Sequence, residues 1–149
     1  MRAPDPMNET CSFEISLYPA KRRAFIAYTG AISSRAAIES LVRTLDHPLW
    51  RPGFDTLSDL CGITGIAGEY AEIPAMVRIW DRYHARMGLG RDAFFTENKV
   101  IHGMSQVMAV FANMHSSRKA KPFWTRAEAE AWLDAPHVRA DDTDPGTAP

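Results

Sequence analysis

A chain of 149 residues, 46% of them apolar, is sized for one domain around one core. Its formal charge of -1 at pH 7 leaves no basic excess for a dedicated nucleic-acid or anionic-membrane binder. Two cysteines, Cys11 and Cys61, are too few for a secreted disulfide framework, and no run is apolar enough for a signal segment or a membrane span, so a reduced, cytoplasmic protein is expected.

Phe13, Ile15 and Leu17 alternate with Glu14 and Ser16, which predicts a first strand with one wet face. Tyr18-Pro19-Ala20-Lys21 turns the chain into Arg23 to Tyr28, a nearly unbroken apolar run and therefore a more central strand. So short a turn makes the pair an antiparallel hairpin. Ser33 or Ser34 caps a first helix that buries Ile38, Leu41, Val42 and Leu45 at helical spacing, and His47-Pro48 stops it. The loop from Pro48 to Gly53 carries Trp50 and leads into a third strand, Phe54 to Leu60. Gly62, Gly65 and Gly68 then predict a turn. A second helix opens with Pro74 near its first position; its Ile73, Met76, Val77, Trp80, Tyr83 and Met87 fall at offsets 0, 3, 4, 7, 10 and 14, one apolar stripe ended by Gly88 and Gly90.

Arg91 to Phe95 reads as a buried fourth strand. Val100 to Met114 reads as a third helix, with Val100, Met104, Val107, Met108, Phe111 and Met114 at offsets 0, 4, 7, 8, 11 and 14. Lys121-Pro122-Phe123 is a short fifth strand, and Thr125 with Glu128 forms a capping box for a last helix running to Leu133. Residues 1–9 and 135–149, rich in Pro, Asp, Ala and Thr, are expected to be flexible tails flanking a domain at 10–134. The alternation predicts a single-domain α/β fold with a mixed, mostly parallel five-stranded sheet and four helices. Its first strand should be the antiparallel edge.

Three patches carry a family likeness. They are His47-Pro48-Leu49-Trp50-Arg51-Pro52-Gly53-Phe54 with Leu57-Ser58-Asp59-Leu60, then Gly62-Ile63-Thr64, then Gly103-Met104 with Phe123 and Glu128-Ala129-Glu130-Ala131-Trp132-Leu133. In order and spacing, over residues 12 to 134, the chain resembles the SpoIIAA-like proteins of the STAS superfamily, also called STAS/SEC14-like. The resemblance implies a regulatory or binding module. Anti-sigma-antagonist members carry Asp-Ser-Ser-Gly after the third strand, where a partner kinase phosphorylates a serine. Here Ala67-Gly68-Glu69-Tyr70 occupies that place, without a serine. Some members with this layout suggest instead a carrier of lipid-like ligands.

Ligands of open α/β sheets collect beyond the carboxyl ends of parallel strands. That edge supplies Cys61, Thr64, Glu69, Tyr70, Thr96, Asn98, His102 and Met104 as candidate binding residues. Cys61 and His102 are the one pair that could serve as nucleophile and base, provided a nearby cation or helix N-terminus lowers the thiol pKa. The histidines at 47, 84, 102, 115 and 137 lack metal-ligand spacing, and the glycines at 62, 65 and 68 lack the Lys-Ser/Thr ending of a phosphate loop, so neither a metal nor a cofactor is expected. Lys21, Arg22, Arg23, Arg118, Lys119 and Lys121 precede their strands and are expected to be solvated charges at the opposite edge.

The favoured expectation is a non-enzymatic module acting through an unknown protein partner, with the Cys61-to-Tyr70 segment as its contact surface. The alternative is a carrier of a small apolar ligand held by Trp80, Tyr83, Met104 and Met108, since thioethers and aromatics make adaptable apolar sites. An enzyme using Cys61 and His102 comes third. An exposed helix face or the edge strand would allow a homodimer.

Overall fold

The computed structural model describes residues 11–67 and 73–137. Strand β1 (Ser12–Tyr18) and strand β2 (Arg23–Ile32) form the antiparallel hairpin, turned by a short 3-10 segment at Pro19–Lys21. Helix α1 (Ser34–Leu45), strand β3 (Asp55–Ile66), helix α2 (Ile73–Met87) and strand β4 (Arg91–Phe95) follow. Helix α3 (Lys99–His115), strand β5 (Lys119–Phe123) and helix α4 (Arg126–Asp134) complete the domain. The five strands lie in the order β1-β2-β3-β4-β5, parallel from β2 onward.

This sequential order decides the layering. Three right-handed crossovers that each step the same way place α1, α2 and α3 on one face of the sheet. In agreement, α1 packs on α2 and α2 on α3. Helix α4 folds back over β3, β4 and β5 from the other side. Strand registers then divide the residues with period two. Ile26, Thr56, Ser58, Asp92, Phe94 and Ala120 align across the inner face towards α1–α3. Phe25, Leu57, Ala93, Phe95 and Phe123 form a second, smaller core with Ala129 and Leu133 of α4. As an edge strand β5 accommodates Pro122, which has no N–H to donate.

Helix starts follow their cap chemistry. The side chains of Ser33, Asn98 and Thr125 accept backbone N–H bonds at the first turns of α1, α3 and α4. The Thr125 hydroxyl also donates to the Glu128 carboxylate at 2.8 Å, so the two residues of the predicted capping box pair side chain to side chain.

Four expectations are corrected. Gly62 and Gly65 belong to β3, which runs six residues beyond Leu60 rather than turning. A Cβ at Gly62 would stand 2.4 Å from the Tyr28 carbonyl oxygen, so the glycine is there for close strand approach. The inner face of α1 is built from Ala36, Ser40, Thr44 and Leu45, with Ile38 and Leu41 only partly covered. Helix α3 follows its predicted stripe only in part: Met104, Met108 and Phe111 pack against the core, but the buried positions are Ile101, His102, Ser105 and Ala109, while Val100 and Met114 are 69% and 70% exposed. Finally, Arg23 and Arg118 are buried. Arg23 bonds Asp134 at 2.7 Å, and Arg118 forms a paired contact with Asp92.

Candidate functional site

Between the inner sheet face and α1–α3 lies a cavity of about 170 Å3. Its apolar wall is made by Ile26 and Phe94 of the sheet, Leu41 of α1, Trp80 of α2, and Met104 and Met108 of α3. The space exists because inward positions carry small side chains. Ala37, Ser40 and Thr44 on α1, Ser105 and Ala112 on α3, and Ala120 on β5 stand where larger residues would close the layer. The volume is comparable to that of cavities of roughly 150 Å3 that stay dry and take up benzene or xenon. Of the residues anticipated for an apolar site, Trp80, Met104 and Met108 line this cavity. Tyr83 packs against the core outside its wall.

The polar groups in the wall are mostly committed to the protein itself. Thr44 Oγ1 donates to the Ser40 carbonyl at 2.7 Å, Ser105 Oγ to Ile101 at 2.8 Å, and Thr56 Oγ1 to Asp92 at 2.7 Å. Arg118 spans the gap between elements: Nε donates to Asp92, Nη1 to the Met87 and Gly88 carbonyls, and Nη2 to Phe54, Arg91 and Asp92. Its charge is thereby consumed in closing the amino ends of β4 and β5. Tyr28 meets Ser40 at 2.6 Å, and burial pushes its phenol up to about 12. Sequence reading missed Tyr28, Ser40, Thr44, Ser58 and Ser105. The available signal was a run of small polar residues at positions that periodicity assigns to a core.

The carboxyl edge is arranged differently. Strands β2 and β3 continue pairing to Ile32 and Ile66, past the last β3–β4 pair at Asp59 and Phe95. Cys61 and Thr64 are therefore exposed on a projecting two-stranded ribbon. Burial, a hydrogen bond that the thiol donates to the Asp59 carboxylate and the nearby charges of Asp59 and Glu97 raise the Cys61 thiol pKa, against a smaller lowering contribution from a Glu97 backbone hydrogen bond. That is the reverse of what a nucleophile needs. His102 is buried in the first turn of α3, with its ring stacked 3.6 Å from that of Trp124 and only 2° from parallel. Among the described residues no hydrogen bond joins it to Cys61. Asn98 is occupied as the α3 cap, and the Thr96 hydroxyl accepts from the Asn98 N–H at 3.2 Å. Glu69 and Tyr70 lie outside the described residues. Among those described, no three metal-ligating side chains gather.

No family model matches the chain, and no curated protein is detectably similar to it. A solved structure is: an uncharacterised protein of the DUF3478 family from Shewanella loihica PV-4, described as having a SpoIIAA-like fold. It superimposes with a TM-score of 0.50 at 13% identity, covering 83% of this chain and 93% of that one. The fold is SpoIIAA-like. At that identity the likeness concerns architecture, and the SpoIIAA-like layering of helices on one sheet face is what encloses the cavity here. No helix among the described residues is long and apolar enough to cross a membrane.

Proposed function

We propose that this SpoIIAA-like protein is a non-enzymatic carrier or sensor of a small, mostly apolar molecule held between the sheet and α1–α3. One observation carries the reading: a preformed cavity of about 170 Å3 with thioether, indole and aliphatic walls. A ligand that fills a preformed apolar space gains contacts at little cost in ordering the protein. The non-enzymatic part is supported by a thiol held protonated at Cys61 and an imidazole turned onto Trp124. Native mass spectrometry before and after incubation with toluene tests it. An added mass of about 100 Da, lost on denaturation, is expected for a ligand of roughly this size; a bare mass in both samples argues against it.

A second reading, action through protein contacts, is favoured by the outer face of α3. Val100, Val107, Val110 and Met114 are exposed there, and residues 100 to 117 include no Asp, Glu, Lys or Arg. An uncharged apolar stripe can meet its own copy without like-charge repulsion, so a second chain is its simplest occupant. Sedimentation of the wild type and of Val110→Lys should then show a dimer and a monomer; two monomers would remove this reading.

A further inference from the structure

We propose that residues 135–137 form a pH-sensitive strap, held on the sheet by one proton between His137 and Asp55 and released when that proton leaves. The strap lies on the α4 side, where Asp55 shares a face of β3 with Leu57, and so stands apart from the cavity. Helix α4 ends at Asp134, and Ala135 is extended, with φ -66° and ψ 142°, as a residue before proline prefers. The extended chain then brings the His137 ring back to the first residue of β3, 82 positions earlier in sequence.

Two hydrogen bonds fix the state of the ring. Nδ1 lies 2.7 Å from the Ala135 carbonyl, which can only accept, so Nδ1 carries a proton. Nε2 lies 2.8 Å from Asp55 Oδ1, an oxygen that also accepts the Arg91 N–H at 2.9 Å. A neutral imidazole protonated at Nδ1 has only a lone pair at Nε2, and an ionised carboxylate has only lone pairs. At 2.8 Å these repel. The contact therefore exists only with a further proton between Nε2 and Oδ1, whichever atom holds it.

Burial makes that proton decisive. The His137 and Asp55 side chains are 4% and 0% exposed, so solvent does little to screen the repulsion that its loss creates. The charged groups around the pair are engaged elsewhere. Arg23, opposite Asp55 in the β2–β3 register, bonds Asp134 at 2.7 Å, and Arg91 Nη1 donates to the Trp132 carbonyl at 2.7 Å. Arg22, next in the chain, accepts the Asp55 N–H with its carbonyl. Raising the pH removes the shared proton, the strap lets go, and Asp55 gains water in place of the imidazole. Helix α4 stays anchored, because its bonds to Arg23 and Arg91 do not involve this proton.

The backbone order parameter at residue 137, measured by 15N relaxation in the wild type, Asp55→Asn and His137→Gln, tests the proposal. In the wild type it should be about 0.85 near about pH 5.5 and below about 0.6 near about pH 8.5. In Asp55→Asn the side-chain amide can donate to Nε2 of the neutral ring, so the strap should stay ordered at both pH values. In His137→Gln nothing titrates at this position, so the order parameter should be the same at both. Dispersed amide resonances from β3 and α4 show that a variant is folded; should Asp55→Asn fail to fold, His137→Gln decides alone. A wild-type value that does not change with pH, or one that falls equally in either folded variant, would overturn the proposal.

Discussion

Filling the cavity from within should stabilise the protein, an inversion of the usual result for a core substitution. Ala112 on α3 faces the void, and leucine propagates a helix nearly as well as alanine. Ala112→Leu adds three carbons, worth at most about 2.4 kcal/mol at ~0.8 kcal/mol per methylene. Ordering the new side chain removes ~0.5–1 kcal/mol, leaving a gain of about 1.5–2 kcal/mol. Urea unfolding reads this directly: with a slope of about 2 kcal/mol/M, the midpoint should rise by about 0.8–1 M. The same variant should bind toluene at least tenfold more weakly. A loss of 1–3 kcal/mol, as overpacking produces, would refute the reasoning, because it would mean that this space is occupied by protein in solution.

Arg118→Ala should cost about 3–5 kcal/mol in urea unfolding, because it strands the Asp92 carboxylate and the Phe54 and Met87 carbonyls; a cost below about 1 kcal/mol would show that these groups find water instead. In a Cys11→Ser background, alkylation of Cys61 by iodoacetamide should be slow at pH 7 and still rising above pH 9, since its thiol pKa is raised; a fast, flat profile near pH 7 would contradict this. Tyr28 keeps its proton in the fold up to about 12, whereas the unfolded chain releases it near its ordinary value of 10.0. Above that value the unfolded state binds fewer protons, so stability falls as pH rises through this window, by on the order of 3 kcal/mol when complete. Tyr28→Phe should flatten that alkaline loss relative to wild type, measured by urea unfolding from pH 9 to 11.5.

Much of the fold was legible because local chemistry and tertiary packing agree. Arg91 to Phe95 is a parallel strand with the bounds read from the sequence, burying Ala93 and Phe95, and Thr125 with Glu128 marks the start of α4 as written. The hairpin follows from a turn too short for anything but antiparallel pairing. Where the reading failed, a non-local contact had taken over. Gly62 looked like a turn residue, but its missing Cβ serves the approach of β3 to β2, beside a register shift between Ala27 and Thr29. Helix α3 was legible in part: Met104, Met108 and Phe111 of its stripe pack against the core, but its most buried positions include His102, Ser105 and Ala109, and Val100, Val107 and Met114 are left exposed. Arg118 looked like part of a solvated basic run, and only the fold reveals the carbonyls that converge on it.

The candidate site was legible in part for the same reason. Trp80, Met104 and Met108 stand out as adaptable apolar residues, yet a void is a sum over many side chains and has no signature of its own. Its polar end was less visible still. Ser40 and Tyr28 are ordinary residues until strand register and helix packing bring their hydroxyls together.

A crystal of the protein pressurised with xenon tests the central claim most directly, since xenon enters apolar voids of this size without needing any specific group. Expected is a xenon site between the sheet and α1–α3, against Trp80, Met104 and Met108, that disappears in Ala112→Leu. Well-ordered side chains closing that space, with no xenon among them, would contradict the proposal that this fold is built around a ligand.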